Sequence, residues 1–306
     1  MSAQRITSRC ASWGIFTNEG KCFELKKTGF NGPLLQQFQN MIHPTAIIHP
    51  GAKLDATVQV GPYAVIDESV ELGAHCVVGP HVYLTGSTKI GSHNRFHAGC
   101  VIGDTPQDTK YHGEPTRLRI GSHNVFREHV TVHRSTTADG ETTIGSHNFL
   151  MASCHAGHNT HIGSHVIMAN GVLLAGHVTI HDRAFLSGTC LVHQFCNIGT
   201  LAMMQGGAVI TLDLPPFTIA AHGVNKLCGL NIVGLRRAGF TPAQRLELKK
   251  IYHLIFRRKK NLAAAIEEVQ KKFSSPAAKT VVDFVLASKR GVCTGTPRSL
   301  SQTKDE

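Results

Sequence analysis

Aromatic residues are scarce in this chain of 306 residues, at 6%, and Trp13 is its one tryptophan. A core without large rings must close on Val, Ile, Leu, Ala and Gly, which suits a tightly stacked all-β solenoid. No apolar run approaches the ~20 residues of a membrane-spanning helix, so no transmembrane segment is expected. The nine cysteines form no C-x-x-C pair and no disulfide framework. Cys76, Cys100, Cys154, Cys190 and Cys196 fall at small-residue positions of the repeat described below. They read as buried, reduced thiols of a reducing compartment. Aromatic stacking residues beside basic ones are missing too, which argues against nucleic-acid binding.

Acidic residues are absent from the first 18 positions, which hold Arg5, Arg9, three serines and two threonines. The stretch has no apolar core of secretory type and resembles an organellar transit segment. Residues 1–40 are therefore expected to be a transit or disordered extension. The early arginines put the mitochondrion ahead of a plastid, with a bacterial-type cytoplasm as the alternative.

What the chain has in abundance is one frame of six. Of the 29 residues numbered in multiples of six from Ile42 to Ile210, 25 are large and apolar. The exceptions are Asp108, Glu114, Ala138 and Ala156. A helix or a plain strand has no such period. A hexapeptide parallel β-helix does: three hexads make a triangular coil of about 18 residues, with the apolar residue pointing to the axis. Helices of this kind are left-handed as a class, against the usual crossover rule. Glycine often follows the apolar residue, as at Gly61, Gly73, Gly91 and Gly121, where the chain is expected to bend. The frame fails at Asp108 and Glu114 but returns in phase, so 103–119 is expected to be an extruded polar loop, with a smaller excursion at 134–143. Loops on rigid scaffolds often carry function.

The expected domains are a β-helix over 41–215, an α-helical domain over 216–290 and a loose tail over 291–306. Leu214-Pro215-Pro216 is read as the end of the solenoid, because proline cannot donate to a ladder. Thr241-Pro242-Ala243-Gln244 is a capping-box helix start. The net charge of +11 is concentrated beyond it: Arg236–Arg290 holds 14 Lys/Arg against 4 Asp/Glu. That surface is either a solvated helical face or a dock for an acidic partner, with Arg257, Arg258, Lys259 and Lys260 as candidate docking residues.

The coil length also works as a coordinate system. His158, Gly176 and Gln194 form one column on three successive coils, with Asn159 beneath His177. A backbone N–H one strand spacing from an imidazole can hold an oxyanion. The imidazole can take a proton from a hydroxyl nucleophile, because it titrates near neutrality. His93, His123, His147 and His165 recur at equivalent IGSH turns and read as turn residues. His155, His158 and His177 break that pattern. Metal binding is the rival reading of clustered histidines, but His161 and His165 share no face in a β-solenoid.

Several segments together resemble the acyl-carrier-protein:UDP-N-acetylglucosamine O-acyltransferases of lipid A synthesis. They are IHPTAIIHPGAKL at 42, PQDTKYHGEPTRLRIG at 106, REHVTVHRST at 127, LMASCHAGH at 150, LAGHV at 174, VHQFCNIG at 192, PPFTIAAHG at 215 and NIVGLRRAGF at 231. The resemblance spans about residues 42–290. It implies transfer of an (R)-3-hydroxyacyl chain from the phosphopantetheine of acyl carrier protein to the sugar 3-hydroxyl, with no further cofactor and no metal. It implies a homotrimer with active sites between subunits, His158 as catalytic base and Gly176 as oxyanion donor. It further implies that Gln107, Asp108, Lys110, His155, His177, His193 and Gln194 contact sugar or phosphate. Asn231 and Arg237 would lie near the nucleotide, and Gly206 would limit acyl length. Two positions depart from the family: Asn159 stands where an acid usually follows the catalytic histidine, and Val233 replaces an acid near the nucleotide. The departures leave a non-catalytic trimeric scaffold as one alternative. A relative of the zinc carbonic anhydrases that share the repeat is the other.

Overall fold

From Val60 onward the apolar residue of the hexads is buried at the axis of a left-handed parallel β-helix: Ile66, Leu84, Ile102, Phe126, Leu150, Met168, Leu174 and Leu186 are all nearly inaccessible. The computed structural model describes residues 41–257 and 261–294. The expected transit segment, the docking residues Arg258, Lys259 and Lys260, and the tail beyond 294 lie outside the described residues. Strands of two to four residues stack in three faces of ten, eight and ten strands. The first face runs from Ile47–Ile48 to Gly223–Val224, the second from Lys53–Leu54 to Asn197–Ile198, and the third from Gln59–Val60 through Thr218–Ala220 to Leu227–Leu230. Each buried aliphatic side chain contributes about 1.5–3 kcal/mol by leaving water.

The corners follow one rule. The third residue after most axial residues from Val60 to Met204 has positive φ, as at Tyr63 (56°), His93 (59°), Asn159 (57°) and His177 (61°). This corrects the expectation that the following glycine makes the bend. Glycine is needed there for clearance: a Cβ on Gly91 would stand 2.8 Å from the Gly121 carbonyl oxygen of the next coil. Asparagine tolerates the left-handed region better than most residues do, so Asn159 is suited to its corner before any chemistry is considered.

Both excursions preserve phase because each inserts whole hexads. Ile90 pairs with Ile120 and Ile120 with Ile144. These steps are 30 and 24 residues instead of 18, so the insertions are 12 and 6. The strands Val101–Asp104 and Arg117–Ile120 trim the long loop to 105–116, and Glu141–Ile144 trims the short one to 134–140. A buried asparagine ladder ties these coils together. Asn94 Oδ1 accepts from the backbone N–H and side-chain amide of Asn124, and Asn124 Oδ1 accepts from Asn148 N–H.

Two boundaries shift. Pro215-Pro216 shortens a coil without ending the solenoid: Leu214 still bridges to Ile198, and Thr218–Ala220 and Gly223–Val224 add parallel strands. The prolines sit in a corner, where no ladder donor is required. Leu227–Leu230 then turns antiparallel. The start of the expected tail is also docked. Asp213 N–H donates to Gly291 O, Cys293 N–H returns to Asp213 O, and Val292 and Cys293 are buried.

Among the described residues four α-helices follow: α1 (Ile232–Arg237), α2 (Pro242–Tyr252), α3 (Leu262–Lys272) and α4 (Pro276–Ala287). Helix α2 begins with the capping box of Thr241 and Gln244 and runs into a π-helical turn over His253–Arg257. Leu248, Ile251, Ile266, Val269, Val281 and Val282 join the core of the solenoid end. None of these helices is long and apolar enough to cross a membrane. Arg257, a candidate docking residue, donates to Cys228 O and stacks over the Tyr252 ring.

Candidate active site

His158 occupies the corner after the first-face strand His155–Ala156, and its side chain is 15% exposed. Its Nδ1 lies 2.9 Å from Asn159 Oδ1. That oxygen also accepts from the Thr136 backbone N–H at 3.1 Å and from Thr136 Oγ1. A backbone N–H can only donate, so the amide orientation is fixed with oxygen toward Thr136 and His158. His158 Nδ1 is then the protonated nitrogen, and Nε2 carries the lone pair. The Asp108 carboxylate stands 4.0 Å from Nε2, beyond hydrogen-bond range. Nε2 is thus the free basic atom, facing the loop.

Gly176 lies one coil above. A Cβ there would overlap the imidazole of His158. Gly157, Ala175 and His177 N–H groups donate to Leu174, Val192 and His158 carbonyls. Gly176 N–H has no acceptor among the described residues. At the same hexad position the N–H groups of Ser92, Ser122, Ser146 and Ser164 are capped by Ser122, Ser146, Ser164 and Asp182 side chains of the next coil, while Ala98, Ala152 and Asn170 are, among the described residues, uncapped like Gly176; what sets Gly176 apart is its contact with the His158 ring. The donor at Gly176 is unspent.

Other histidines surround this pair. His177 is edge-on to His158 at 5.2 Å and stacks on Phe195 at 4.5 Å. His155 Nδ1 lies 2.7 Å from Thr131 Oγ1, and His133 is edge-on to it at 5.1 Å. Burial pushes His155 down to about 4, helped by repulsion from His133 and His158. Burial lowers His133 and His177 as well. These three rings are therefore neutral around pH 7.

The structure brings His158, Asn159, Gly176, Asp108, His155 and His177 together. Gln107 and Lys110 are exposed on the same loop, and Lys110 N–H donates to Asp108 Oδ1 at 2.9 Å. Gln194 stands one coil above Gly176, and His193 Nδ1 lies 3.2 Å from its carbonyl. Asn231 and Arg237 make no contact with this cluster. They line a separate cleft of about 440 Å³ with His165, Arg183, Phe185 and Val233. The Asn231 side chain is occupied at both ends, capping α1 at Gly234 N–H and donating to Leu201 O. Gly206 is an exposed corner whose Cβ would make only an ordinary van der Waals contact, with the Gly188 carbonyl oxygen 3.6 Å away.

Sequence reasoning missed Thr131, His133, Ser135, Thr136 and Thr137. The signal was present: once the short excursion is counted as one extra hexad, Thr131 falls under His155, and the strand Thr131–His133 is followed directly by Arg134 and by Ser135, which accepts from Asn159. Arg134 also braces the long loop, donating to Gly103 O and the Tyr111 hydroxyl. Among the described residues, no three His, Cys, Asp or Glu side chains are arranged to hold a metal ion.

Comparison with known proteins gives a consistent result. The family model described as UDP-N-acetylglucosamine O-acyltransferase, domain 2, matches residues 213–293. An acyl-[acyl-carrier-protein]–UDP-N-acetylglucosamine O-acyltransferase of Burkholderia lata is 42% identical over 257 residues, 82% of this chain and 98% of that one. The solved UDP-N-acetylglucosamine acyltransferase of Francisella novicida superposes with a TM-score of 0.81 at 34% identity, covering 83% of this chain and 94% of its own. The Arabidopsis UDP-N-acetylglucosamine acyltransferase superposes at 0.75 with 34% identity, covering 83% of this chain and all of its own.

Proposed function

The chain belongs to the UDP-N-acetylglucosamine O-acyltransferase family, and from that membership we propose which of its atoms do the chemistry. The protein is an enzyme, an acyltransferase. It moves an (R)-3-hydroxyacyl chain from the thioester of acyl carrier protein to the 3-hydroxyl of UDP-N-acetylglucosamine, the first step of lipid A-type synthesis. His158 Nε2 accepts the sugar hydroxyl proton as that oxygen attacks the thioester carbonyl. Gly176 N–H holds the tetrahedral oxyanion. On collapse the C–S bond breaks, and the imidazolium returns its proton to the departing phosphopantetheine sulfur.

The single observation that carries this reading is the pairing of an Nε2 lone pair with an unspent backbone donor on adjacent coils. General-base catalysis of this kind supplies about 10²–10⁴-fold in rate. An oxyanion donor contributes about 2.7–4 kcal/mol to the barrier. The neutral His155 and His177 can hydrogen-bond sugar and phosphate oxygens without competing as bases at pH 7. Gln107, Asp108 and Lys110 add polar contacts from the loop, and His193 and Gln194 from the next coil.

The cleft at Asn231 and Arg237 is the other half of the site. Its lack of contact with His158 within one chain supports a homotrimer in which a neighbouring subunit presents it to the nucleotide. Gly206 leaves room for the acyl chain to pass. The basic helical face is the dock for acyl carrier protein, and residues 1–40 direct the chain to the mitochondrion. The deciding experiment is a transfer assay with the purified protein, UDP-N-acetylglucosamine and 3-hydroxyacyl carrier protein. Formation of the 3-O-acyl nucleotide is expected. Its absence from a folded, metal-free trimer would favour a non-catalytic scaffold, and stoichiometric zinc would favour the carbonic anhydrase alternative.

A further inference from the structure

We propose that Ser135 and Thr137, at the crown of the short excursion, are positioning residues: their hydroxyls anchor the Asn159 amide against Thr136 N–H, in the one orientation that leaves His158 Nε2 unprotonated. The inference rests on His158 being the base.

Asn159 has no charge with which to hold an imidazole. Its amide carries an acceptor at one end and donors at the other, and rotation by half a turn exchanges them. In the rotated state the Nδ2 donors would meet Thr136 N–H, two donors facing each other. They would also meet His158 Nδ1, which would then have to accept. The imidazole proton would move to Nε2, and the base would be lost.

Thr136 N–H, which can only donate, opposes that rotation, and two hydroxyls anchor the donor end of the amide. Thr136 N–H donates to Oδ1 at 3.1 Å. Asn159 Nδ2 donates to Ser135 Oγ at 2.6 Å and to Thr137 Oγ1 at 3.1 Å. Ser135 Oγ also accepts from Thr137 N–H at 3.3 Å. Asn159 and Ser135 are both buried, so their own polar atoms, left unpaired, lack water to replace the partner, whereas Thr137 is exposed. The amide is therefore held at both ends, and the excursion 134–140 has a role that an uninterrupted solenoid could not supply.

A carboxylate at 159 would need no such lock, because its two oxygens are equivalent. Ser135 and Thr137 hydroxyls could turn to donate to it, while Thr136 N–H still donates to the other oxygen. The cage therefore accepts Asn159→Asp without rebuilding but loses its directing role. This makes the proposal separable from a merely structural role.

The test is a double-mutant cycle in the full-length trimer. Ser135→Ala with Thr137→Val should lower kcat by ~10-fold or more while KM changes by less than about two-fold; the wrong tautomer costs ~10⁴-fold in a serine-protease triad. The same pair in the Asn159→Asp protein should lower kcat by less than about three-fold, because no amide remains to rotate. Asn159→Asp alone should move the acid limb of the kcat–pH profile to higher pH, since a carboxylate favours the imidazolium. The other titratable groups facing His158 are Asp108, His133, His155 and His177, and they are common to all the variants. Equal losses in both backgrounds would overturn the proposal, as would an unchanged kcat in the Asn159 background. An unmoved acid limb would overturn it too. Should His158→Ala keep wild-type turnover, the proposed base itself is wrong, an outcome read independently of the cycle.

Discussion

Gly176 lies against the imidazole of His158 so closely that a methyl group on it would overlap the ring. Glycine is required there for a neighbour's sake. Gly176→Ala should therefore push His158 from its place and turn the unspent N–H away from the reacting carbonyl. Turnover is expected to fall by about 10²–10³-fold, the size of losing one oxyanion donor. The axial residues are untouched, so the thermal midpoint should move by only a few degrees. Steady-state kinetics and a melting curve on the same preparation check both halves.

A second prediction concerns pH and stability. His155 is held at about 4, against 6.5 for a free imidazole, chiefly by burial. The unfolded chain takes up this proton first as pH falls, so stability drops from about pH 6.5 and levels off below about 4. The depression corresponds to a loss of roughly 3 kcal/mol at most. Urea midpoints measured from pH 7 to pH 4 should fall less steeply for His155→Gln than for the wild type. Parallel curves would show that the imidazole is not the titrating group.

The asparagine ladder supplies a third. Asn124 joins Asn94 below to Asn148 above and also donates to Gly145 O. Asn124→Ala leaves the buried Asn148 N–H and the half-buried Gly145 carbonyl without their partner. Each unsatisfied group costs about 1–3 kcal/mol, so the variant should be less stable by that order without losing turnover per folded molecule. Chemical denaturation checks the first clause and a transfer assay the second.

Most of the fold was legible because one apolar frame survives both excursions. Asp108 and Glu114 marked the long loop, and its length of whole hexads kept Ile120 in phase with Ile90. The column of His158 and Gly176 followed from the same count. Less visible were effects that depend on lateral contact. Pro215-Pro216 read as a stop, yet it sits in a corner where strands need no donor, and the coils continue to Val224. Val292 and Cys293 read as a loose tail because their partner, Asp213, lies some 80 residues earlier. The Ser135–Thr136–Thr137 crown was hidden by the register shift of the short excursion. The family resemblance supplied the reaction and the substrates, which no periodicity could.

The measurement that bears most directly on the central claim is the turnover of His158→Ala in the transfer assay, on protein shown to be a folded trimer. The substitution removes a side chain that is 15% exposed and part of no axial layer, so assembly and melting should be close to wild type. Turnover should fall by about 10²–10⁴-fold, the contribution of a general base, with KM for the sugar nucleotide little altered. Wild-type turnover from that variant would contradict the account.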